Sequence, residues 1–295
     1  MTALPDSDLS GAISRLFVYP VKSCAGIEVQ EALLTETGLA LDRAWMVVDA
    51  QGVFMTQRAL PRMALIRPQL VGGELVLTAP GMPPLHVPVD MAQDSANLHP
   101  PTTVTVWRDT VPAWDVGPAA AHWFSDFLGQ SCRLVRFDPD HRRLSSMDWT
   151  AGVEAPNQFA DGFPLLLASE ASLAELNARL MAAGQAPVGM ERFRPNVVLS
   201  GLEAHDEDRV DMVRVVAGSG LAHLQPVKPC ARCPIPNIDP VTADSSTAVS
   251  DALQTYRQDP RVGGAVTFGM NAIVRQGAGQ VLRVGQPIAA DVLFA

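Results

Sequence analysis

Short apolar runs, interrupted at close intervals by glycine, proline and aspartate, are the feature that most constrains the fold of this 295-residue chain. Between Ile13 and Trp114 these runs are rich in β-branched residues, as at 44–49, 74–78 and 103–106. Short runs bounded by turn residues are typical of antiparallel strands. We therefore expect the first part of the chain to form a small antiparallel β-barrel or sandwich.

A proline-rich stretch runs from Pro80 to Pro101 and contains six prolines. Proline lacks the N–H group that an interior strand must donate to its neighbours, so it is confined to edge strands and loops. The stretch is therefore predicted to combine an edge strand with a loop.

Three segments have the pattern of helices. The first begins at Pro118, a residue suited to the first helical turn, and continues with apolar residues at helical spacing until Gly129. The second opens with Ser172 and Glu175, which have the spacing of a capping box. The third covers 248–257.

Further strands are predicted at 163–168, 196–200, 211–217, 272–275 and 281–288. Together, the predicted strands and helices indicate a mainly β chain with a few helices, which is an α+β fold in two halves. We place the boundary between the halves at the first helix, which gives domains at 12–125 and 126–295.

The charge of the chain argues against nucleic acid as a partner. Its net charge is −9 and its isoelectric point is near 5.1, whereas nucleic-acid affinity rests on Lys and Arg. The first eleven residues lack the pattern of a signal peptide, and no apolar run approaches the ~20 residues of a membrane span. We expect a soluble, cytoplasmic protein with no membrane partner. Trp45, Trp107 and Trp114 are expected to pack in the core or between domains.

One Cys-x-x-Cys pair, Cys230 and Cys233, lies in a proline-rich segment with Arg232 beside the second cysteine. A cation next to a thiol stabilises the thiolate, and thiolates bind thiophilic metals. The pair is therefore the strongest candidate for a chemical site in this chain.

Three other interpretations of the pair stay open on its residues alone. A zinc site needs about four ligands, and Cys24 and Cys132 supply no second pair. A redox dithiol of the thioredoxin kind opens a helix, which Pro234 and Pro236 disfavour. Loop cysteines without a chemical role are the third alternative.

Four segments occur in the order found in one protein family. They are Tyr-Pro-Val-Lys-Ser-Cys-Ala-Gly at 19–26, Leu-Asp-Arg-Ala-Trp at 41–45, Arg-Phe-Arg-Pro-Asn at 192–196, and the loop at 230–239. Over nearly its whole length the chain resembles MOSC proteins that carry an N-terminal MOSC β-barrel domain, and among them the amidoxime-reducing branch. The resemblance implies an N-terminal β-barrel-like domain packed on a MOSC β-barrel domain. A molybdenum cofactor is expected between and within the two.

The resemblance also implies roles for single residues. Cys233, rather than Cys230, is expected to ligate molybdenum, which makes it the catalytic metal ligand. Asp239 matches an acidic position near the metal and is expected to orient ligands or deliver protons, with a turn residue as the alternative. The residues expected to bind the phosphate and pterin of the cofactor, or to lie beside it, are Lys22, Ser23, Arg43, Ser169, Arg194, Asn196 and Arg232.

The loop departs from the family pattern at three positions. Pro236 and Asn237 stand where animal members have two threonines, and Ala243 stands where a glycine is usual. We expect these departures to change the hydrogen bonding of the loop and the substrate preference.

The activity that the resemblance implies is reduction of N-hydroxylated compounds, namely amidoximes, hydroxylamines and N-hydroxylated bases. Because the chain has no plant-type ferredoxin cysteine cluster, electrons are expected from a separate ferredoxin, flavoprotein or heme protein. Two alternatives are a sulfur carrier that holds a persulfide on Cys233 and a protein that binds the molybdenum cofactor without turnover.

Overall fold

The computed structural model describes residues 7–90, 101–218 and 220–293. Within these ranges the prediction of a mainly β chain with a few helices is confirmed. In chain order the strands are β1 (Leu9–Val18), β2 (Ile27–Val29), β3 (Glu31–Thr35), β4 (Gly38–Leu39), β5 (Trp45–Asp49), β6 (Arg67–Val71), β7 (Glu74–Thr78), β8 (Leu85–Pro88), β9 (Thr102–Val106), β10 (Asp109–Asp115), β11 (Cys132–Phe137), β12 (Arg143–Leu144), β13 (Pro156–Asn157), β14 (Leu165–Ser169), β15 (Val197–Ser200), β16 (Val210–Ala217), β17 (Gly220–Ala231), β18 (Gln258–Asp259), β19 (Ala265–Gln276), β20 (Val281–Arg283) and β21 (Pro287–Val292). The helices are α1 (Pro118–Leu128), α2 (Glu170–Ala182) and α3 (Ala248–Gln254), with short 3₁₀ helices at Pro61–Leu65, Met190–Arg192, Asp206–Arg209, Ile235–Asn237 and Pro260–Val262.

Seven strands close into a barrel in the order β14, β15, β1, β21, β16, β17 and β19, and β19 pairs back to β14. β14 and β15 run parallel, and the other neighbours are antiparallel. Buried and half-buried positions largely alternate along β16, as expected when one face of a strand points into a barrel. Apolar side chains fill the interior, among them Ile13, Leu16, Leu167, Val213 and Ile288.

The other unit, called the half-barrel here, contains the sheet β5-β11-β10-β9, the sheet β6-β7-β8 and helix α1. Its core includes Trp45, Phe124 and Leu134. Helix α1 has Pro118 in its first turn and ends at Gly129, whose φ is 72°. Glycine adopts this left-handed conformation without steric cost. The first predicted helix is confirmed.

Each unit includes strands from both sides of the expected domain boundary. Strands β1 to β4 come early in the chain but contribute to the barrel or to its core, whereas β11 lies beyond residue 126 and pairs with β5. The ranges 12–125 and 126–295 therefore do not follow the sheets, because these pairings join segments that are far apart in sequence. The chain crosses between the units at 19–26, 40–44 and 138–164.

Most predicted strands are present, with different limits. The first three predicted runs correspond to β5, β7 and β9. The strand predicted at 281–288 is two strands, β20 and β21, separated by a turn in which Gly285 has φ of 86°. Strand β8 is an edge strand, as predicted for the proline-rich stretch, of which 91–100 lies outside the described residues.

Helix α2 begins earlier than predicted, and the predicted capping box is wrong. Its N-cap is Ser169, whose Oγ accepts a hydrogen bond from the N–H of Ser172 at 3.1 Å. Two serines three residues apart both fit a capping pattern, so the sequence does not distinguish them.

Strand β17 was not predicted from the sequence. It contains Pro226 and Pro229, and its pairing with β19 shifts register next to each of them. Such irregularities accommodate residues that cannot donate a ladder hydrogen bond. This strand carries Cys230 to the rim of the barrel. No helix in the described ranges is long and apolar enough to span a membrane.

Candidate functional site

A cavity of about 250 Å³ lies where the barrel and the half-barrel meet. Each of the three crossing segments contributes to its wall, and so does the loop that follows β17. The predicted site residues that line it are Lys22, Ser23, Arg43, Arg194, Asn196, Arg232 and Cys233. These residues come from four segments that are distant in sequence, whereas Ser169 and Asp239 do not line the cavity.

Three of these residues have backbone conformations that non-glycine residues rarely adopt. The φ angles of Ser23, Arg43 and Arg194 are 65°, 49° and 59°. Such conformations cost of order 1–3 kcal/mol each and cluster at functional sites. Each one turns a polar side chain toward the same cavity.

Two guanidinium groups pack on one fully buried ring. The Cζ atoms of Arg43 and Arg194 each lie 4.3 Å from the ring centroid of Tyr19. Nη1 of Arg43 donates to the two carboxylate oxygens of Asp42 at 2.7 and 2.6 Å and to Oδ1 of Asn196 at 3.2 Å. Asn196 therefore fixes the orientation of Arg43.

Arg194 has no hydrogen bond to a carboxylate within the described ranges. Its Nη1 donates to the carbonyl oxygen of Cys24 at 2.6 Å. Burial, and then repulsion by Arg43, lower the pKa of Arg194 to about 10. A cation that is desolvated and repelled in this way favours an anion bound in the cavity.

Lys22 and Ser23 supply a second group of donors. The ammonium group of Lys22 is buried and donates to the carbonyl of Phe159 at 2.8 Å and to Asp161 Oδ1 at 2.5 Å. Burial lowers the pKa of Lys22, although the Asp161 carboxylate opposes this effect. The hydroxyl of Ser23 has no hydrogen-bond partner in the described parts of the chain, so it is free to meet a ligand.

The loop that carries Cys233 is fixed at both ends. The N–H of Arg232 donates to the carbonyl of Val266 in β19 at 2.8 Å. Beyond Cys233, Asn237 donates to Ser250 Oγ and accepts from the N–H of Ser250, both at 3.0 Å, which ties the loop to α3. Asn237, one of the departures from the family pattern, thus anchors this loop.

Arg232 lines the cavity but reaches the first cysteine of the pair. Its Nη1 donates to Cys230 Sγ at 3.0 Å, and its Nη2 donates to the carbonyl of Phe193 at 2.9 Å. Its Nε is buried without a hydrogen-bond partner in the described structure. Cys230 and Cys233 are both half-buried free thiols that line the cavity.

Ser169 and Asp239 have structural partners instead of a place on the cavity wall. Ser169 is fully buried and caps α2. Asp239 accepts hydrogen bonds from the N–H groups of Val241 and Thr242 and from the guanidinium of Arg192. These contacts hold the pKa of the Asp239 carboxyl below its usual value, although burial acts in the opposite direction. The turn interpretation fits Asp239, whereas a proton donor would need a raised pKa.

Sequence reasoning missed five polar residues of the cavity wall, namely Thr56, Arg58, Asp161, Lys228 and Asn271. Asp161 precedes a glycine and a predicted strand, so its sequence pattern is that of a turn. Trp107 was expected to be buried but is 44% exposed, and its Nε1 donates to Asp161 Oδ1 at 3.1 Å.

The other two cysteines lie away from the pair. Cys24 and Cys132 are buried in the core of the half-barrel, and burial raises the pKa of both thiols, that of Cys24 to about 12. Within the described ranges no three His, Cys, Asp or Glu side chains are grouped as a metal site would require. The zinc alternative therefore has no ligand set in this part of the chain.

Fold and site together define a class of protein. Two β units enclose a cavity that combines several cations with a loop bearing a half-buried thiol, an arrangement suited to an anionic ligand and a sulfur-bound metal.

Comparison with known families gives the same class a name. Residues 10–131 match the MOSC N-terminal beta barrel domain, and residues 154–289 match the MOSC domain. The chain is 35% identical over 294 residues to mitochondrial amidoxime reducing component 2 of Rattus norvegicus, which covers 94% of this chain and 82% of that protein. It is 33% identical over 297 residues to mitochondrial amidoxime-reducing component 1 of Homo sapiens, with the same coverage. The chain belongs to the MOSC-domain family that includes the amidoxime-reducing components.

A third relative is named for a different activity. The chain is 30% identical over 270 residues to the molybdenum cofactor sulfurase of Bos taurus, which covers 86% of this chain but only 30% of that protein. Family membership thus connects the chain with molybdenum chemistry at a general level.

Proposed function

We propose that this protein is a molybdenum-cofactor-dependent reductase of N-hydroxylated compounds, namely amidoximes, hydroxylamines and N-hydroxylated bases. The observation that carries the proposal is that Cys233 lines the same cavity as the cations Lys22, Arg43 and Arg194. A pterin cofactor with a phosphate and a metal needs both a cationic pocket and a soft ligand. The names of the two amidoxime-reducing relatives favour this activity over others.

The residues present fit such a cofactor. Arg194 lacks a carboxylate partner in the described structure, and Ser23 has a free hydroxyl, so an anionic phosphate would satisfy both. Cys233 would supply the thiolate ligand. When bound, the molybdenum cofactor supplies two-electron redox chemistry.

The chain itself orients and shields the reactants. Asp42 and Asn196 hold the guanidinium of Arg43 in one direction, so little orientation is left to be fixed when a ligand binds. Apolar side chains form another part of the wall and limit the access of water; they are Phe163, Leu165, Leu166 and Phe193.

The proposed reaction requires a separate source of electrons. Reduction of an N–OH group consumes two electrons and two protons and yields an N–H group and water. We propose that a separate protein, a ferredoxin, a flavoprotein or a heme protein, delivers the electrons.

The test is metal and pterin analysis of protein from a host that makes the cofactor, for the wild type, Cys233→Ser and Cys230→Ser. We expect about one molybdenum per chain in the wild type and in Cys230→Ser. Cys233→Ser is expected to lose reduction of a hydroxylamine, with altered or absent metal. Absence of molybdenum and pterin from the wild type would refute the proposal.

Sulfur transfer is the second candidate, because the match to a molybdenum cofactor sulfurase favours it. It requires a persulfide on a cavity thiol, Cys230 or Cys233. Mass spectrometry of the intact chain after incubation with a sulfur donor distinguishes the candidates, since a persulfide adds one sulfur atom to a protein that lacks molybdenum.

A further inference from the structure

The cavity contains one carboxylate among many cations. Within the described ranges, Asp161 is the one acidic residue among the side chains that line the cavity, and its side chain is 70% exposed. The cations of the same wall are Lys22, Arg43, Arg58, Arg194, Lys228 and Arg232. Asp161 is therefore the one carboxylate of the described wall that can attract a positively charged group entering this cavity.

The carboxylate is held by two donors on the same oxygen. Asp161 Oδ1 accepts from Lys22 Nζ at 2.5 Å and from Trp107 Nε1 at 3.1 Å. Oδ2 has no hydrogen-bond partner in the described structure. The group is thus fixed in orientation and still has one oxygen without a partner in the described structure.

A buried arginine positions the segment that carries Asp161. Arg143 donates to the carbonyl oxygens of Gln158 at 2.8 Å and Ala160 at 2.7 Å, and its Nε donates to Asp109 Oδ2 at 2.6 Å. Backbone groups gathered on one guanidinium have little freedom to move. The position of Asp161 is therefore set by the fold before a ligand arrives.

The charge on Asp161 is stable near neutral pH. The protein atoms around the cavity disfavour ionisation, but Lys22 and the indole N–H of Trp107 outweigh this effect, so the pKa of Asp161 lies below its usual value. The carboxylate is therefore an anion at any pH at which an enzyme of this kind is assayed.

An aromatic side chain lies beside the carboxylate. Trp107 has φ of 57°, a conformation that is strained for a tryptophan, and it is partly exposed. The guanidinium of Arg58 packs 4.6 Å from its ring centroid. Because the Trp107 ring already packs against one planar cation, the guanidinium of Arg58, this part of the wall suits planar cationic groups.

From this geometry we propose that Asp161 is a specificity-determining residue that binds the amidinium or guanidinium group of a substrate or product through its free oxygen. The inference rests on the proposed function. Amidine-like nitrogen becomes more basic when it loses its hydroxyl group, so the contact with Asp161 strengthens as an amidoxime is converted to an amidine. A contact that is stronger in the transition state than with the bound substrate accelerates the chemical step.

The first test measures binding and does not depend on turnover. Calorimetric titration of the full-length protein with benzamidine, a planar cation, is compared with benzamide, its neutral analogue. We expect the wild type to prefer benzamidine by about ten-fold to a hundred-fold, the range of a charge-assisted hydrogen bond. Asp161→Asn keeps the oxygen that accepts from Lys22 and Trp107, and it is expected to lose this preference.

A matched control removes an exposed carboxylate that is outside the cavity wall. Asp148→Asn changes the net charge by the same amount, and Asp148 does not line the cavity. It is expected to keep the preference for benzamidine. Equal loss in Asp148→Asn and Asp161→Asn would overturn the inference, because the preference would then reflect overall charge.

A second test uses the molybdenum-loaded protein. For Asp161→Asn, kcat/KM is expected to fall about ten-fold or more for an N-hydroxyguanidine that is protonated in the assay. For an uncharged hydroxamic acid it is expected to change little, and molybdenum content should equal that of the wild type. Loss of molybdenum, or an equal loss for both substrates, overturns the inference. A loaded wild type that reduces neither substrate refutes the proposed function instead, and the titration still decides the role of Asp161.

Discussion

Replacing Arg194 with methionine is expected to stabilise the cofactor-free protein and to weaken its binding of anions. Methionine has a similar length, carries no charge and is no more strained than arginine at a φ of 59°. The substitution therefore removes mainly a cation that is held in the cavity wall next to Arg43. It tests whether this cation is unfavourable in the absence of a ligand.

The magnitude follows from the pKa of the group. Burial and Arg43 lower the pKa of Arg194 from 12.5 to about 10. Each pKa unit corresponds to about 1.4 kcal/mol, so the charged form is disfavoured in the folded protein by about 3 kcal/mol. Loss of the hydrogen bond to Cys24 costs about 1 kcal/mol, and loss of the contact with Tyr19 costs about 1 kcal/mol. The expected net gain is about 1 kcal/mol.

The stability penalty of the charged Arg194 changes with pH in a defined direction. Because the pKa is lower in the folded than in the unfolded state, the penalty is fully present below about pH 10 and is relieved as the pH rises through 10 toward 12.5. Urea unfolding near neutral pH therefore measures the whole effect.

The assay compares cofactor-free wild type, Arg194→Met and Arg192→Met. Arg192 donates to Asp239 at 2.8 Å and does not line the cavity, so its replacement is expected to destabilise. Pyrophosphate should raise the unfolding midpoint of the wild type more than that of Arg194→Met, because ligands stabilise the state that binds them. A loss of 1 kcal/mol or more in Arg194→Met, or equal stabilisation of both by pyrophosphate, would refute the reasoning.

Three further predictions concern stability. Asn237→Ala should lower the free energy of unfolding by about 2 kcal/mol, because it removes both hydrogen bonds to Ser250; thermal denaturation measures this, and an unchanged midpoint would contradict it. Ala243→Gly should raise the free energy of unfolding by about 0.5–1 kcal/mol, since Ala243 has φ of 65°, and a lower midpoint in urea would argue against this explanation. Burial raises the pKa of Glu207, so stability should fall as pH rises above the ordinary range of a glutamate, and Glu207→Gln should flatten that dependence in urea unfolding from about pH 5 to about pH 8.

Local sequence patterns were sufficient to predict the elements whose limits are set by neighbouring residues. Helix α1 lies between a first-turn proline and a terminal glycine, and β5, β7 and β9 are short runs between turn residues. Three cations of the cavity, Lys22, Arg43 and Arg194, were found because the segments that carry them resemble those of a family, whereas Arg58 and Lys228 lie outside those segments and were missed.

The remaining features depend on contacts between distant segments. No local pattern in β1 indicates that it pairs with β15 and β21. The role of Asp161 depends on Lys22 and Trp107, which come from other parts of the chain. Asp239 was assigned by its position in the loop, and only the amides around it reveal its use in a turn.

The segments on which the chain passes between the barrel and the half-barrel have a consequence for assembly. They carry Lys22, Arg43 and Asp161, so the ligand-facing groups exist as a set only when both units have closed on each other. The sheets of the half-barrel lie within residues 45–137, whereas the barrel combines β1 with strands that begin at β14, so neither half of the sequence, expressed alone, contains a complete barrel or a complete pocket. Folding and the binding of an anion in this pocket are therefore thermodynamically linked, and a bound anion should make the two units unfold as a single cooperative body.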